Sequence, residues 1–327
     1  MAGAESVQPV PEINPPPPRE YDQPWRSTPW GKREDLRKEL RGFQLSNPNI
    51  KHVRILLASE GGAGKLSFIN SINSAFQGRV TSDALVDDTS GTKTYYIRGK
   101  EHTDVLPFVF NDFMGLEDGE SHCAHIEDVV KALRGLLTEG CKLNPTPVSA
   151  EDTAYRSDPA PQDQTYCLVY IIAAEKVSFM NPDHIKKMKS IRKSASGLDI
   201  PQVIIMTRVD EACPLVNKTL RKIYTSKKIK EKMQECSNVL GVPMNHIFPV
   251  KNYHEEIDTD NDTDVLILTA LTQIVQTAND KLVRSLSCDV KNRVSGSKRL
   301  LVIKTTTTTS ITIIEQHLLV TRGNKIE

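Results

Sequence analysis

The stretch Val53-Arg-Ile-Leu-Leu-Ala-Ser59-Glu-Gly-Gly-Ala-Gly-Lys65-Leu66 decides the predicted fold. Its first half is apolar and typical of a buried strand, and its second half is a glycine-rich turn. The residues that follow, as far as Ser74, have the apolar spacing of a helix. This order is typical of a loop that holds phosphate groups, because its backbone N–H groups and the helix N-terminus attract anions.

The same alternation continues along the chain. Further strands are predicted at 95–98, 105–111, 166–174, 202–206 and 246–250, and helices at 32–41, 122–137, 182–195, 218–240 and 263–286. A polar stretch with four prolines, 139–165, is predicted as a long loop. Strands that alternate with helices indicate an α/β fold, with a mainly parallel sheet and helices on both faces.

The turn follows most of the phosphate-loop pattern G-x-x-x-x-G-K-[ST]. Gly61, Gly62 and Gly64 would let backbone N–H groups turn towards phosphates, and Lys65 would reach the β- and γ-phosphates. Two positions depart from the pattern: a serine replaces the first glycine, and Leu66 replaces the hydroxyl residue that binds Mg²⁺. A glycine-rich turn without a ligand, as in any α/β protein, stays an alternative at this point.

Ser67 is a further candidate nucleotide contact. It does not obviously replace Leu66 as a metal ligand, because adjacent helical residues point about 100° apart. Magnesium binding is therefore in doubt from the sequence.

Two later motifs point to the base of a nucleotide. Thr207-Arg208-Val-Asp210 resembles the guanine-reading pattern N/T-K-x-D, with arginine in place of lysine. The Asp210 carboxylate would accept two N–H groups of guanine that adenine does not offer. Val250-Lys251-Asn252 ends the last predicted strand, where GTPases place a loop that contacts the base.

Asp112-Phe-Met-Gly115 matches the D-x-x-G pattern, in which the aspartate holds Mg²⁺ through water and the glycine N–H senses the γ-phosphate. Either Thr92 or Thr94 could supply a switch hydroxyl to the metal, and a plain polar loop fits equally well. Leu116 stands where many GTPases place a water-orienting glutamine, so hydrolysis is predicted to be weak or absent.

Four such loops, in order and each after a strand, predict a P-loop GTPase-like fold that binds GTP or GDP. Parallel strands bring their carboxyl ends to one edge of the sheet, where ligands bind. A kinase is disfavoured because it needs no guanine reader.

Composition excludes other classes. The 327 residues contain 42 Lys and Arg against 41 Asp and Glu, so no global field predicts nucleic-acid binding. No signal peptide and no apolar run long enough to span a membrane is found, and the six cysteines lack metal-ligand spacing. A cytoplasmic protein with free thiols is expected.

The chain divides into four predicted segments. Residues 1–18 are a proline-rich leader, either disordered or a polyproline ligand, and 19–50 are an extension that packs on the core through Trp25 and Trp30. The GTPase-like domain covers 51–289, and 290–327 are a low-complexity tail with a threonine run.

Several stretches of the sequence resemble the interferon-induced protein 44 family. They are Arg19-Glu-Tyr-Asp-Gln-Pro-Trp-Arg26, Leu45-Ser-Asn-Pro-Asn49, Gly62-Ala-Gly-Lys65 with Phe68-Ile-Asn70, and Val250-Lys-Asn-Tyr253. The resemblance implies GTP binding, cytoplasmic location and an interferon-inducible antiviral role. Two readings remain: a guanine-nucleotide-binding immune protein with little hydrolysis, and a scaffold that keeps the fold without the nucleotide. An unidentified protein partner and a homo-oligomer are left open.

Overall fold

The computed structural model describes residues 19–84, 92–99, 104–113, 125–142 and 146–303, with side chains as far as residue 287. Six strands in this part form one sheet: β1 (Val53–Ser59), β2 (Lys93–Arg98), β3 (Val105–Asp112), β4 (Thr165–Ala173), β5 (Gln202–Thr207) and β6 (Ile247–Pro249). The α-helices are α1 (Arg33–Arg41), α2 (Lys65–Gln77), α3 (Ile126–Leu133), α4 (Pro182–Gly197), α5 (Val209–Ala212), α6 (Pro214–Lys218), α7 (Lys227–Leu240) and α8 (Asn261–Ile303).

The strand order is β2-β3-β1-β4-β5-β6, and only β2 runs antiparallel to its neighbour. Every residue of β4 is buried, as expected of a central strand covered on both faces. The predicted α/β fold with a mainly parallel sheet is therefore confirmed. From β1 the chain passes by way of β2 to one neighbour of β1, β3, and then to the other, β4. The carboxyl end of β1 is thus the switch point of the sheet, where α/β proteins bind ligands.

The helix predicted at 218–240 is wrong in its first third. A 3₁₀ helix covers Leu220–Tyr224, and α7 begins only at Lys227. The Ser226 side chain accepts the Ile229 N–H and caps α7. The N-terminal extension occupies the break, since the Tyr21 N–H donates to the Thr225 carbonyl at 2.8 Å.

Helix α2 ends at Gln77 instead of Ser74, and the ends of α3 and α8 differ more from those predicted. Among the described residues, α3 ends at Leu133 instead of 137, because the backbone turns at Gly135, where φ is 78°. A Cβ at Gly135 would lie 2.5 Å from the Asp163 carbonyl oxygen, so this close approach requires glycine. Helix α8 continues to Ile303, past the predicted end at 286, because Lys, Arg and Leu in this stretch favour a helix and no proline stops it.

The chain separates into two compact units, Met1–Val283 and Arg284–Glu327. In the first unit, the extension lies on the domain through Arg26, whose guanidinium donates to the carbonyls of Met244 and Ile247 at 2.7 and 2.8 Å. The Trp25 ring contacts Tyr224 edge to face, with ring centroids 5.6 Å apart. The second unit contains the end of α8, and the threonine run lies outside the described residues.

No helix in the described part of the chain is long and apolar enough to cross a membrane. Cys141, Cys167, Cys213 and Cys236 are buried free thiols. Burial raises the pKa of Cys236 to about 12, so this thiol stays protonated.

Candidate functional site

The phosphate loop leaves β1 at the switch point of the sheet. Gly62 and Gly64 have φ values of 72° and 84°, a region that favours glycine. Gly64 is the N-cap of α2, so the loop ends at the positive end of that helix. A Cβ at Gly64 would lie 3.0 Å from the Asn252 side-chain nitrogen, and the neighbouring loop therefore needs this glycine to approach.

Side chains from two other loops hold the backbone of the phosphate loop. The Thr207 hydroxyl donates to the Ala63 carbonyl at 2.6 Å, and Asn252 Nδ2 donates to the Gly64 carbonyl at 3.0 Å. Lys176 Nζ donates to the Gly61 carbonyl at 3.3 Å. Thr207, predicted as part of the base reader, thus also fixes the phosphate loop.

Lys65, the predicted phosphate ligand, forms an ion pair with Asp112, the predicted metal ligand. Its ammonium group also lies 3.5 Å from the Phe113 carbonyl oxygen. The side chains of Lys65 and Asp112 are only 12 % and 4 % exposed, so the pair is largely screened from water. The positive charge of Lys65, which is predicted to bind a phosphate, is thus neutralised by Asp112.

The predicted magnesium ligands Asp112 and Thr92 have partners within the protein, and Leu66 carries no oxygen. The apolar side chain of Leu66 packs partly buried against the core. The Thr92 hydroxyl donates to the Thr138 carbonyl at 3.1 Å, and the Thr94 hydroxyl accepts from Asn111 Nδ2 at 3.0 Å. Gly115 and Leu116 lie outside the described residues. Among the described residues, Asp112 is thus paired with a lysine, and Leu66 offers no oxygen where the loop pattern places a ligand for Mg²⁺.

Several of the predicted ligands line one of two cavities. Thr92 and Asp112 line the first, beside Arg54 and Glu139. The second cavity is lined by Gly64, Ser67, Arg208, Asp210, Glu211, Asn252 and His254. We call this second cavity the loop pocket. It brings phosphate-loop residues together with the predicted guanine reader.

The guanine-reading motif turns sharply after β5. Arg208, in the left-handed region with a φ of 54°, is the N-cap of the short helix α5, which contains Asp210. Within the described chain the Asp210 carboxylate, which is partly exposed, has no hydrogen-bond or ion-pair partner. Arg208 is engaged instead, with its guanidinium 3.3 Å from Glu175 and 3.4 Å from Glu211. The carboxylate is therefore available to a ligand in the loop pocket.

Lys251, predicted to contact the base, does not line the loop pocket. Its ammonium group pairs with Glu256 at 2.6 Å. Burial alone would raise the pKa of Glu256, but hydrogen bonds from Lys251 and from backbone N–H groups hold it at about 2. The next residue, Asn252, takes the place expected of Lys251 and joins the phosphate loop to the pocket wall.

Sequence reasoning missed four residues around the loop pocket: Lys176, Glu211, Asn252 and His254. Asn252 belongs to the motif Val250-Lys251-Asn252, and Glu211 directly follows Asp210. The neighbouring predicted residues could therefore have pointed to both. Nothing in the sequence indicated Lys176 or His254, since each reaches the site from an irregular loop.

Sequence comparison relates this chain to known proteins. It is 31 % identical over 254 residues to interferon-induced protein 44 of Mus musculus, which covers 76 % of the chain and 60 % of that protein. It is 31 % identical over 256 residues to the Homo sapiens protein of the same name, and 28 % identical to the Homo sapiens interferon-induced protein 44-like. The matched region belongs to the interferon-induced protein 44 family. The resemblance predicted from the sequence is confirmed.

The similarity covers only part of the length of these relatives. The chain spans 57 to 60 % of the length of these relatives. No protein-family model matches it. Among solved structures, Toc33 from Arabidopsis thaliana in complex with GDP and Mg²⁺ is 12 % identical, with a TM-score of 0.44 over 77 % of this chain and 93 % of that one. We therefore assign the fold of this chain from its own strand order and not from that structure.

Proposed function

We propose that this protein binds guanine nucleotides in the loop pocket, with little or no hydrolysis and little dependence on Mg²⁺. One observation carries the proposal. Gly64 of the phosphate loop and Ser67 in the first turn of α2 line the same pocket as Asp210 of the predicted guanine reader. These residues come from separate parts of the sequence, and a ligand with both a phosphate and a base would use both.

The geometry supports a division of roles. The N-terminus of α2 and the N–H groups of the phosphate loop would bind the phosphates. Asp210 would accept the two guanine N–H groups, and this contact would discriminate against adenine. Lys65 would have to exchange Asp112 for a phosphate oxygen, which reduces the net gain from its charge.

Weak dependence on Mg²⁺ follows from the residues around Lys65. Leu66 supplies no oxygen, and Asp112 could serve a metal only after Lys65 has left it for a phosphate. Hydrolysis of GTP would need a metal or another cation to neutralise the developing charge and a residue to orient water. GDP should therefore bind about as well as GTP, and turnover should be close to undetectable.

The biological setting comes from the family. Relatives named interferon-induced protein 44 support an interferon-inducible protein. We propose that this chain acts in the cytoplasm in the antiviral innate immune response, with a protein partner or a second copy of itself reading its nucleotide state.

A second function is favoured by the Lys65–Asp112 pair. If that pair is too stable to open, the protein is a scaffold that keeps the GTPase-like fold and binds no nucleotide. The two functions differ in one measurement: titration with fluorescently labelled GTP, GDP and ATP, with saturating Mg²⁺ and with EDTA. Binding of both guanine nucleotides, with weaker ATP binding, supports the first function. Absence of binding for all three supports the scaffold.

A further inference from the structure

A buried carboxylate lies near the start of α8 and is held from two directions. The Asp264 side chain is fully buried. Its Oδ2 lies 3.4 Å from Arg33 Nη1 and 3.5 Å from Arg37 Nη2, both on α1 of the N-terminal extension. Its Oδ1 accepts a hydrogen bond from the Tyr253 hydroxyl at 2.8 Å. A buried charge is costly unless it is paired in this way, so the cluster fixes the positions of all four side chains.

Tyr253 is fixed at both ends. Its hydroxyl also accepts the Asp260 N–H at 2.7 Å, and its own backbone N–H donates to the Ser71 hydroxyl on α2 at 3.0 Å. Burial, followed by the neighbouring Asp264 carboxylate, raises the pKa of Tyr253, so the hydroxyl keeps its proton for donation. The tyrosine therefore joins the start of α8 to the helix that follows the phosphate loop.

The residue before Tyr253 forms a wall of the loop pocket. Asn252 lines the pocket and donates to the Gly64 carbonyl at 3.0 Å. A shift of Tyr253 would move Asn252 and its contact with the phosphate loop. The Asp210 contact with guanine needs the base held in one orientation. Any change at the phosphate loop would affect GDP and ADP alike, so the ratio of their affinities reports on the base.

We propose that Tyr253, anchored through Asp264 to Arg33 and Arg37, is a positioning residue for the base, and that the N-terminal extension thereby sets the preference for guanine over adenine. This inference rests on the proposed function, since it concerns the same pocket. It assigns the extension a role in recognition although none of its residues lines the loop pocket.

The test compares the affinities of the full chain for labelled GDP and ADP, together with the melting temperature. Tyr253→Phe removes one hydroxyl and keeps the buried ring, and Arg33→Gln with Arg37→Gln removes the anchor. Arg41→Gln is the matched control, because Arg41 also lies on α1 but donates to the Phe76 carbonyl at 2.8 Å and not to Asp264. We expect the first two variants to lower the GDP-to-ADP affinity ratio about tenfold, the size of one hydrogen bond, and the control to retain it. Combining Tyr253→Phe with the arginine variant should cause little further loss.

The outcomes separate the two proposals. If native chain binds GDP selectively and Tyr253→Phe keeps the ratio while its melting temperature falls, the cluster is only structural and this inference is wrong. If native chain binds neither nucleotide, the proposed function fails and takes this inference with it. Should the arginine variant not fold, Tyr253→Phe alone decides, because it leaves the two arginines and Asp264 in place.

Discussion

The phosphate loop with its neighbour Asp112, and the predicted base reader, differ in how much of the expected chemistry remains. On the phosphate side, Lys65 is paired with Asp112, and Leu66 offers no metal ligand. On the base side, the Asp210 carboxylate is available within the described chain, and Thr207 and Asn252 hold the loops in place. The difference teaches that recognition of a base needs only fixed polar groups, whereas phosphoryl transfer needs a metal, a positioned water and an uncommitted charge.

The largest effect is expected on the phosphate side. Lys65→Ala should lower the free energy of unfolding by about 3–5 kcal/mol, because Asp112 loses its ammonium partner in a buried position. GTP affinity should fall by roughly 1.5–3 kcal/mol, the range for a charged hydrogen bond. Urea unfolding and calorimetric titration measure the two quantities.

A matched variant separates the two effects. Lys65→Ala combined with Asp112→Asn removes both charges and should regain most of the stability while GTP affinity stays low. Lys176→Ala serves as the control, since Lys176 contacts the phosphate loop but has no part in the pair. An unchanged unfolding midpoint in Lys65→Ala would show that the ion pair contributes nothing.

On the base side, Asp210→Asn should weaken GTP binding by roughly 1.5–3 kcal/mol, because a charged acceptor for two N–H groups is lost. Xanthosine triphosphate should regain affinity, since its base offers the complementary acceptor. Glu211→Gln is the control: Glu211 lines the same pocket but pairs with Arg208. Equal binding of ATP and GTP by the native chain would rule out the guanine preference.

A smaller effect concerns the metal. Native chain should bind GTP almost equally with saturating Mg²⁺ and with EDTA, and Leu66→Ser should make GTP binding several-fold tighter with Mg²⁺, more than GDP binding. Leu66→Ala tests the loss of leucine packing without adding an oxygen. Tight binding by the native chain only with Mg²⁺, together with hydrolysis, would mean that another residue completes the metal site.

The smallest effect is expected outside the pocket. A chain that ends at Asp289 should keep its melting temperature and any nucleotide affinity, because the residues removed lie beyond the first compact unit, Met1–Val283. Differential scanning fluorimetry and the GDP titration check both. A clear loss of either would make the tail part of the fold.

Much of the fold could be predicted because its signals are local. The apolar strand Val53–Leu57, the glycines at 61, 62 and 64 and the following helix are adjacent in sequence. Their physical causes, burial of an apolar run and the conformational freedom of glycine, act over a few residues. The guanine reader is likewise predicted from a local signal, a short motif after a strand, and it stays a prediction.

Other features depended on residues far apart in the chain, and only the tertiary structure decided them. The extension, through Tyr21, occupies the break before α7, where helical spacing alone predicted a continuous helix. The partner of Lys65 is Asp112 on another strand, and Asn252, not Lys251, lies in the pocket wall. By itself the sequence determined which residue types stand at the carboxyl ends of the strands. The packing of those ends determined which charges meet, because an ion pair depends on distance in space and not on separation along the chain.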